Sequence, residues 1–184
     1  MNSKPKEDLP PKDPLFSKPI IDLIPQRFSC RTYQKHNLDT EIRSKLGDFA
    51  VSTKIGPLGH EARFELVASS ERDPHRLRSL GTYGFISGAS AYLVGASERD
   101  QFCPEDFGYL LEQVVLYATD LGLGTCWLGG TFTKSSFSRK INARPNELVP
   151  AVCAVGYIAE SPRRIETWLK NRRGTKTRKA WSQL

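Results

Sequence analysis

Long apolar runs are missing from this chain of 184 residues. No stretch approaches the roughly 20 consecutive apolar residues that a membrane helix needs. The N-terminus, MNSKPKEDLPPKDPLF, lacks the apolar segment of a secretory signal, so the expected location is cytoplasmic. Cysteine is sparse: Cys30, Cys103, Cys126 and Cys153 form no CxxC pair. That removes the usual support for zinc, and no metal is expected. Cys126 and Cys153 sit among apolar neighbours, where reduced, buried thiols are commoner than disulfides. There is no GxGxxG, and no GxxxxGK followed by Ser or Thr, so the signatures of dinucleotide and phosphate-loop folds are absent. No internal repeat is visible, and no DNA- or RNA-binding motif is present.

Charge is what the chain has in excess. Lys and Arg number 27 against 20 Asp and Glu, a formal net charge of +7. A positive surplus favours anionic partners: nucleic acid, an acidic surface or a phosphate-bearing cofactor. Arg163, Arg164, Lys170, Arg172, Arg173, Lys176, Arg178 and Lys179 concentrate it near the C-terminus. A solvated basic tail is the plain alternative. The length suits one domain with a core of its own.

Residues 1–17 are rich in Pro and Lys without periodicity and are expected to be a disordered lead-in to a domain over 18–184. Ile20, Ile21, Leu23 and Ile24 suggest one or two helical turns that Pro25 ends or bends. Asp39 or Thr40 can cap a second helix carrying Ile42, Leu46, Phe49 and Ala50. Strands are expected at 63–69 and 90–96. The clearest helix is 104–121, with Pro104 at its start, Glu105 and Asp106 at the positive dipole end, and Gly122 just past its end. Its stripe of Phe107, Leu110, Leu111, Val114, Val115 and Ala118 is widened by Leu116 and Tyr117. Such a helix is central in a core or buried in a subunit interface. A strand at 125–128, a brief helix at 135–141 and a strand at 151–159 follow. Strands and helices do not alternate strictly, so the fold class is α+β.

Three segments can carry chemistry. In an extended Arg27-Phe28-Ser29-Cys30-Arg31, residues Arg27, Ser29 and Arg31 share one side, a compact donor set for a phosphate. Taken alone, an exposed RxSxR is more often plain surface. Residues 122–132, GLGTCWLGGTF, place glycines around a short apolar strand, where uncovered backbone lets a flat ligand lie against the main chain. A tight turn after a buried strand is the alternative. Lys176-Thr177-Arg178-Lys179 is a second cationic cluster. Two such clusters around a Gly-rich centre favour one shared anion.

These segments resemble the nitroreductase family of FMN-dependent flavoproteins. IPQRFSCRTY is similar to that family's opening, LEQVVLYATDLGLGTCWLGGTF to its central interface helix and flavin-contacting loop. VPAVCAVGYIAE resembles its strand running from a proline to a Gly-Tyr pair, and KTRK its late phosphate clamp. The resemblance covers roughly residues 18–181 and implies a mixed or antiparallel sheet flanked by helices. It implies that Arg27, Ser29 and Arg31 contact the FMN phosphate and ribityl chain, with Phe28 adding backbone contacts. It implies that Lys176 and Arg178 complete the phosphate site, and that the backbone at Leu128, Gly129 and Gly130 faces the flavin ring. It further implies a homodimer, NAD(P)H as co-substrate, and a small nitro, quinone or enone acceptor.

One stretch departs from the family. Where most members carry a Ser/Asn-rich segment ending in Gln-Pro-Trp, this chain has KIGPLGHEARF at 54–64. His60 and Arg63 are the possible replacement donors there. The departure resembles the first half of internally duplicated nitroreductases, whose second half supplies Asn-x-Gln-Pro-Trp. FMN binding is therefore expected to be weaker than in full members. A catalytically weak half-domain and a basic nucleic-acid binder are the alternatives to an oxidoreductase.

Overall fold

The computed structural model describes residues 15–69, 77, 80–99 and 103–161. Its elements are α1 (Ile20–Gln26), α2 (Thr40–Ser52), β1 (Ala62–Ala68), β2 (Ala91–Glu98), α3 (Cys103–Asp120), β3 (Gly124–Leu128), α4 (Lys134–Lys140), β4 (Glu147–Leu148) and β5 (Val152–Gly156). The strands pair antiparallel in the order β1-β2-β5-β3, with β4 on the far end of β2. This is the expected α+β class. The two-residue β4 went unseen because it is too short to show a period.

Strand alternation sorts the core into two layers. Ala91 and Leu93 of β2 join the cluster under α2 and α3, whereas Tyr92, Val94 and Ala96 join the cluster on the opposite face. Phe137 of α4 fills that second layer, edge-on to Tyr92 and Phe132. All of β2 except Glu98 is buried. A strand covered on both faces reads as a nearly continuous apolar run.

The helix caps depart from expectation in detail. Pro25 lies inside α1, whose end is set one residue later by Arg27 N–H donating to the Leu23 carbonyl. Asp39 occupies the N-cap of α2 without a side-chain cap bond. Its carboxylate instead accepts the Tyr157 hydroxyl at 2.7 Å. The expected lead-in also ends earlier than residue 17. Phe16 is buried among Leu23, Phe49, Leu116 and Tyr117, and Ser17 hydrogen-bonds Asp120. Burial of the aromatic ring, edge-on to Phe49 and Tyr117, helps offset the chain entropy lost in ordering residues 15–17. Residues 1–14 lie outside the described residues.

The wide apolar surface of α3 is covered within the chain. Phe107, Leu110, Leu111, Val114 and Val115 are buried beside the sheet and α2, and Leu116 beneath Phe16 and Leu23. Each such side chain contributes about 1.5–3 kcal/mol. Pro104, Glu105 and Tyr109 stay exposed, with Gly108 and Glu112 half-buried beside them. Of the two sequence alternatives for the apolar stripe, the intramolecular core accounts for it. Gly122, at φ +78°, closes α3 with Leu123 N–H donating back to the Ala118 carbonyl at 2.9 Å.

Candidate functional site

The fold brings the first two chemical segments together. Beyond α1 the chain turns extended at Arg27, with φ −67° and ψ 130°. Ser29 then bridges Thr125 in parallel, and Cys30 N–H donates to the Thr125 carbonyl at 2.8 Å. The 27–31 segment thus caps the outer edge of β3, the strand that leads into Gly129 and Gly130. Cys30 is the anchor. It is buried, and a Cβ on Gly124 would sit 2.7 Å from Ile158 Cγ1 and 3.0 Å from the Cys30 Cβ and Sγ, so glycine there gives these side chains room. Arg27, Ser29 and Arg31 are half-buried, while Phe28 is exposed.

A small cavity of about 150 Å³ lies here, lined by Arg27, Phe28, Gly124 and Thr125 among others. Thr125 is 1% exposed, and its hydroxyl has no hydrogen-bond partner among the described residues. A buried hydroxyl without a partner costs free energy, and it belongs to a residue that lines the same cavity as Arg27, a combination that suits an anionic group. At the other end of β3, Leu128 is buried and Gly129 and Gly130 are exposed. A Cβ at either glycine would meet nothing within 4 Å, so the main chain is open on that side. Basic and hydroxyl side chains beside the start of β3 and open backbone at its end have the polarity to suit a phosphorylated flat ligand.

Arg27 is itself held. Its Nε lies 3.4 Å from Oε1 of Glu112 on α3, and the Trp127 indole donates to Oε2 of the same carboxylate at 2.8 Å. Arg31 has no ion pair among the described residues. Lys176 and Arg178 lie outside the described residues, as does the rest of the C-terminal basic cluster.

The divergent 54–64 stretch is tied down by two acids, Asp106 and Glu147, whose partners there are not apparent from the sequence. Asp106, in the first turn of α3, is 1% exposed. It accepts N–H bonds from Leu58 at 2.9 Å and His60 at 2.8 Å, and its Oδ2 lies 3.0 Å from His60 Nδ1. Burial pushes its carboxyl pKa up, but these bonds and His60 outweigh that and hold it below the ordinary range. A Cβ on Gly56 would fall 2.2 Å from the Asp106 carboxyl carbon, so the loop closes around that acid only with glycine. Asp106→Ala would orphan the Leu58 and His60 N–H groups. Its thermal midpoint is expected to fall by about 5–10 °C, read by circular dichroism. An unchanged midpoint would show that the loop does not depend on this carboxylate.

Arg63 is equally engaged. Its Nε and Nη2 donate to Glu147 at 2.9 and 2.8 Å, and both terminal nitrogens reach the Ile141 carbonyl at 3.2 Å. The Arg63 hydrogen bond lowers the Glu147 carboxyl to about 2, against burial that would raise it. His60 and Arg63, the sequence candidates for a flavin-edge contact, therefore hold loop and strand in place. They line a cavity of about 480 Å³ with Ser97, Cys103 and Arg144. This cavity adjoins the start of α3 at Cys103, and the Arg27 cavity adjoins its end at Thr119 and Gly122, so the two lie at opposite ends of a helix about 27 Å long.

All four cysteines are buried, and none is in a disulfide. No cluster of metal ligands gathers among the described residues, and no described helix is long and apolar enough to cross a membrane.

The sequence profile of the family described as "Putative TM nitroreductase" matches residues 19–184. A comparison with curated proteins finds no match. Solved structures share the fold. A nitroreductase family protein from Clostridium difficile 630 has a TM-score of 0.62 at 20% identity, over 89% of this chain and 94% of its own. A nitroreductase with bound FMN from Bacteroides fragilis NCTC 9343 has a TM-score of 0.59 at 17% identity, over 80% of this chain and 92% of its own. A structure described as an oxidoreductase containing FMN has a TM-score of 0.63 at 19% identity, over 87% of this chain and 83% of its own. With the profile running from α1 to the C-terminus and the α+β architecture shared, the chain belongs to the nitroreductase family.

Proposed function

We propose that the chain is an FMN-dependent oxidoreductase that transfers reducing equivalents from NADH or NADPH to a small nitro, quinone or enone acceptor. The observation that carries this reading is the pairing of Ser29 with Thr125, which sets the Arg27 segment beside the strand leading to Gly129 and Gly130. Family membership points the same way. Arg27, Ser29 and Arg31 would hold the phosphate and ribityl chain, with Phe28 contributing main-chain contacts and Lys176 and Arg178 closing the phosphate site. The backbone at Leu128, Gly129 and Gly130 would lie against the ring. FMN held there would supply hydride-transfer chemistry between the nicotinamide and the acceptor. The protein's part is positioning and electrostatics: cationic side chains near the cofactor favour its negatively charged reduced form by Coulomb attraction.

The reading includes a homodimer, with the exposed Glu105–Tyr109 side of α3 as the contact face. His60 and Arg63 are engaged within the chain, which supports weak FMN retention and its loss on dialysis. A cytoplasmic location accords with this activity. The test is anaerobic: FMN-loaded protein is mixed with NADH or NADPH, and then with menadione. Bleaching of the flavin band faster than for free FMN, reversed by the quinone, is the expected result. Protein that binds FMN yet bleaches no faster than free FMN would be the inactive half-domain instead.

A further inference from the structure

Glu112 is an unexpected residue to find where it is. It interrupts the apolar run of α3, and its carboxylate faces Arg27, one of the arginines assigned to the phosphate. An acid beside a phosphate-binding guanidinium lowers the local positive potential, so its presence needs a reason. The geometry supplies one. Oε2 is fixed by the Trp127 indole at 2.8 Å, and Oε1 lies on the Nε side of Arg27 at 3.4 Å. Trp127 belongs to β3 and is partly packed in the core layer beneath α3. The carboxylate is therefore held by the Trp127 indole of β3 on one oxygen and meets the arginine with the other. No described residue accepts a hydrogen bond from the two terminal nitrogens of Arg27. Arg27 lines the small cavity with Thr125, whose hydroxyl is unspent.

A guanidinium binds a phosphate best through a planar pair of N–H groups. A long side chain that wanders loses affinity to the entropy of being ordered on binding. A carboxylate on the Nε side removes that freedom and leaves the terminal pair for the ligand. Glu112 is 41% exposed, so solvent screens its charge, and the repulsion it adds at a phosphate beyond the guanidinium is small.

We propose that Glu112 is a positioning residue for phosphate recognition, orienting Arg27 through the Trp127–Glu112–Arg27 chain. This rests on the FMN reading and deepens it. It predicts that Glu112 contributes to discrimination between FMN and riboflavin, which lacks the phosphate, without contacting either.

The experiment is a double-mutant cycle on flavin affinity, read by quenching of flavin fluorescence. Glu112→Ala is expected to weaken FMN binding about three- to tenfold, to leave riboflavin binding unchanged, and to add nothing once Arg27 is alanine. Trp127→Phe, which releases the carboxylate but keeps an aromatic ring, should lower FMN affinity in the same sense and spare riboflavin. Equal losses for FMN and riboflavin would make Glu112 a structural residue and overturn the proposal. So would the same Glu112→Ala penalty in the Arg27→Ala background, or unchanged or tighter FMN binding in Glu112→Ala. Wild-type protein that binds neither flavin would overturn the functional reading instead, so the two failures are distinguishable.

Discussion

Val115→Glu is expected to unfold the protein rather than to dissociate an assembly. Val115 is 0% exposed within a single chain, in the middle of α3 and beside Leu111 and Val114. An ionised carboxylate there has no partner, and burying one costs several kcal/mol, against a total stability of about 5–15 kcal/mol for a domain. Circular dichroism should show loss of the cooperative melt or aggregation. A variant that stays folded would contradict the packing of α3. The breadth of the apolar stripe alone pointed equally to an interface, and substitution of Val115 would then report on assembly. With the stripe covered by sheet, α2 and Phe16, that question passes to the exposed side of the helix. Tyr109, at 52% exposure, is the residue to change. Tyr109→Glu should keep the fold and shift the mass measured by light scattering toward monomer.

Arg27→Ala is expected to weaken FMN binding by about 1.5–3 kcal/mol, roughly 10- to 100-fold. That is the range for a charge-assisted hydrogen bond, and Arg27 is placed to make one. Its segment is pinned by the Ser29–Thr125 bridge, its side chain is only 23% exposed, and it lines the cavity. Arg31, without an ion pair among the described residues, should show a loss of the same sign when replaced. Riboflavin affinity should change little in either variant. Unchanged FMN affinity in both would remove the phosphate assignment from this segment.

The sequence showed most where a feature is local. The 3.6-residue period over 104–121, the proline at its start and Gly122 at its end define α3 without reference to anything else, and the structure places it at Cys103–Asp120. The alternating or continuous apolar runs of β1, β2 and β5 are equally self-contained. Features that depend on a distant partner were less legible. Asp106 reads as an ordinary acid complementing a helix dipole; only the approach of residues 56–60 makes it the centre of a loop. Glu112 reads as a polar interruption until Arg27 and Trp127 arrive from two other elements. Phe16 looked like part of a polar tail because its pocket is built by Leu23, Phe49, Leu116 and Tyr117. His60 and Arg63 looked like spare donors because Asp106 and Glu147 lie 46 and 84 residues further along.

The candidate site was legible in a different way. RxSxR and the Gly-Gly pair are weak signals singly, and nothing local says that they meet. The parallel bridge between Ser29 and Thr125 puts them on one strand edge. The backbone at Gly129 and Gly130, open on its side-chain side, lies at the other end of that strand.

The most direct measurement is an equilibrium titration of the purified, flavin-free chain with FMN, followed by flavin fluorescence and repeated with riboflavin. The account predicts saturable, one-to-one binding of FMN, tighter than riboflavin and weakened by Arg27→Ala, with the flavin lost on prolonged dialysis. Tight retention through dialysis would show that the divergent 54–64 stretch serves the flavin after all. No saturable FMN binding, or equal affinity for the two flavins, would contradict the central claim that the Arg27 segment and the 128–130 backbone form a flavin phosphate site.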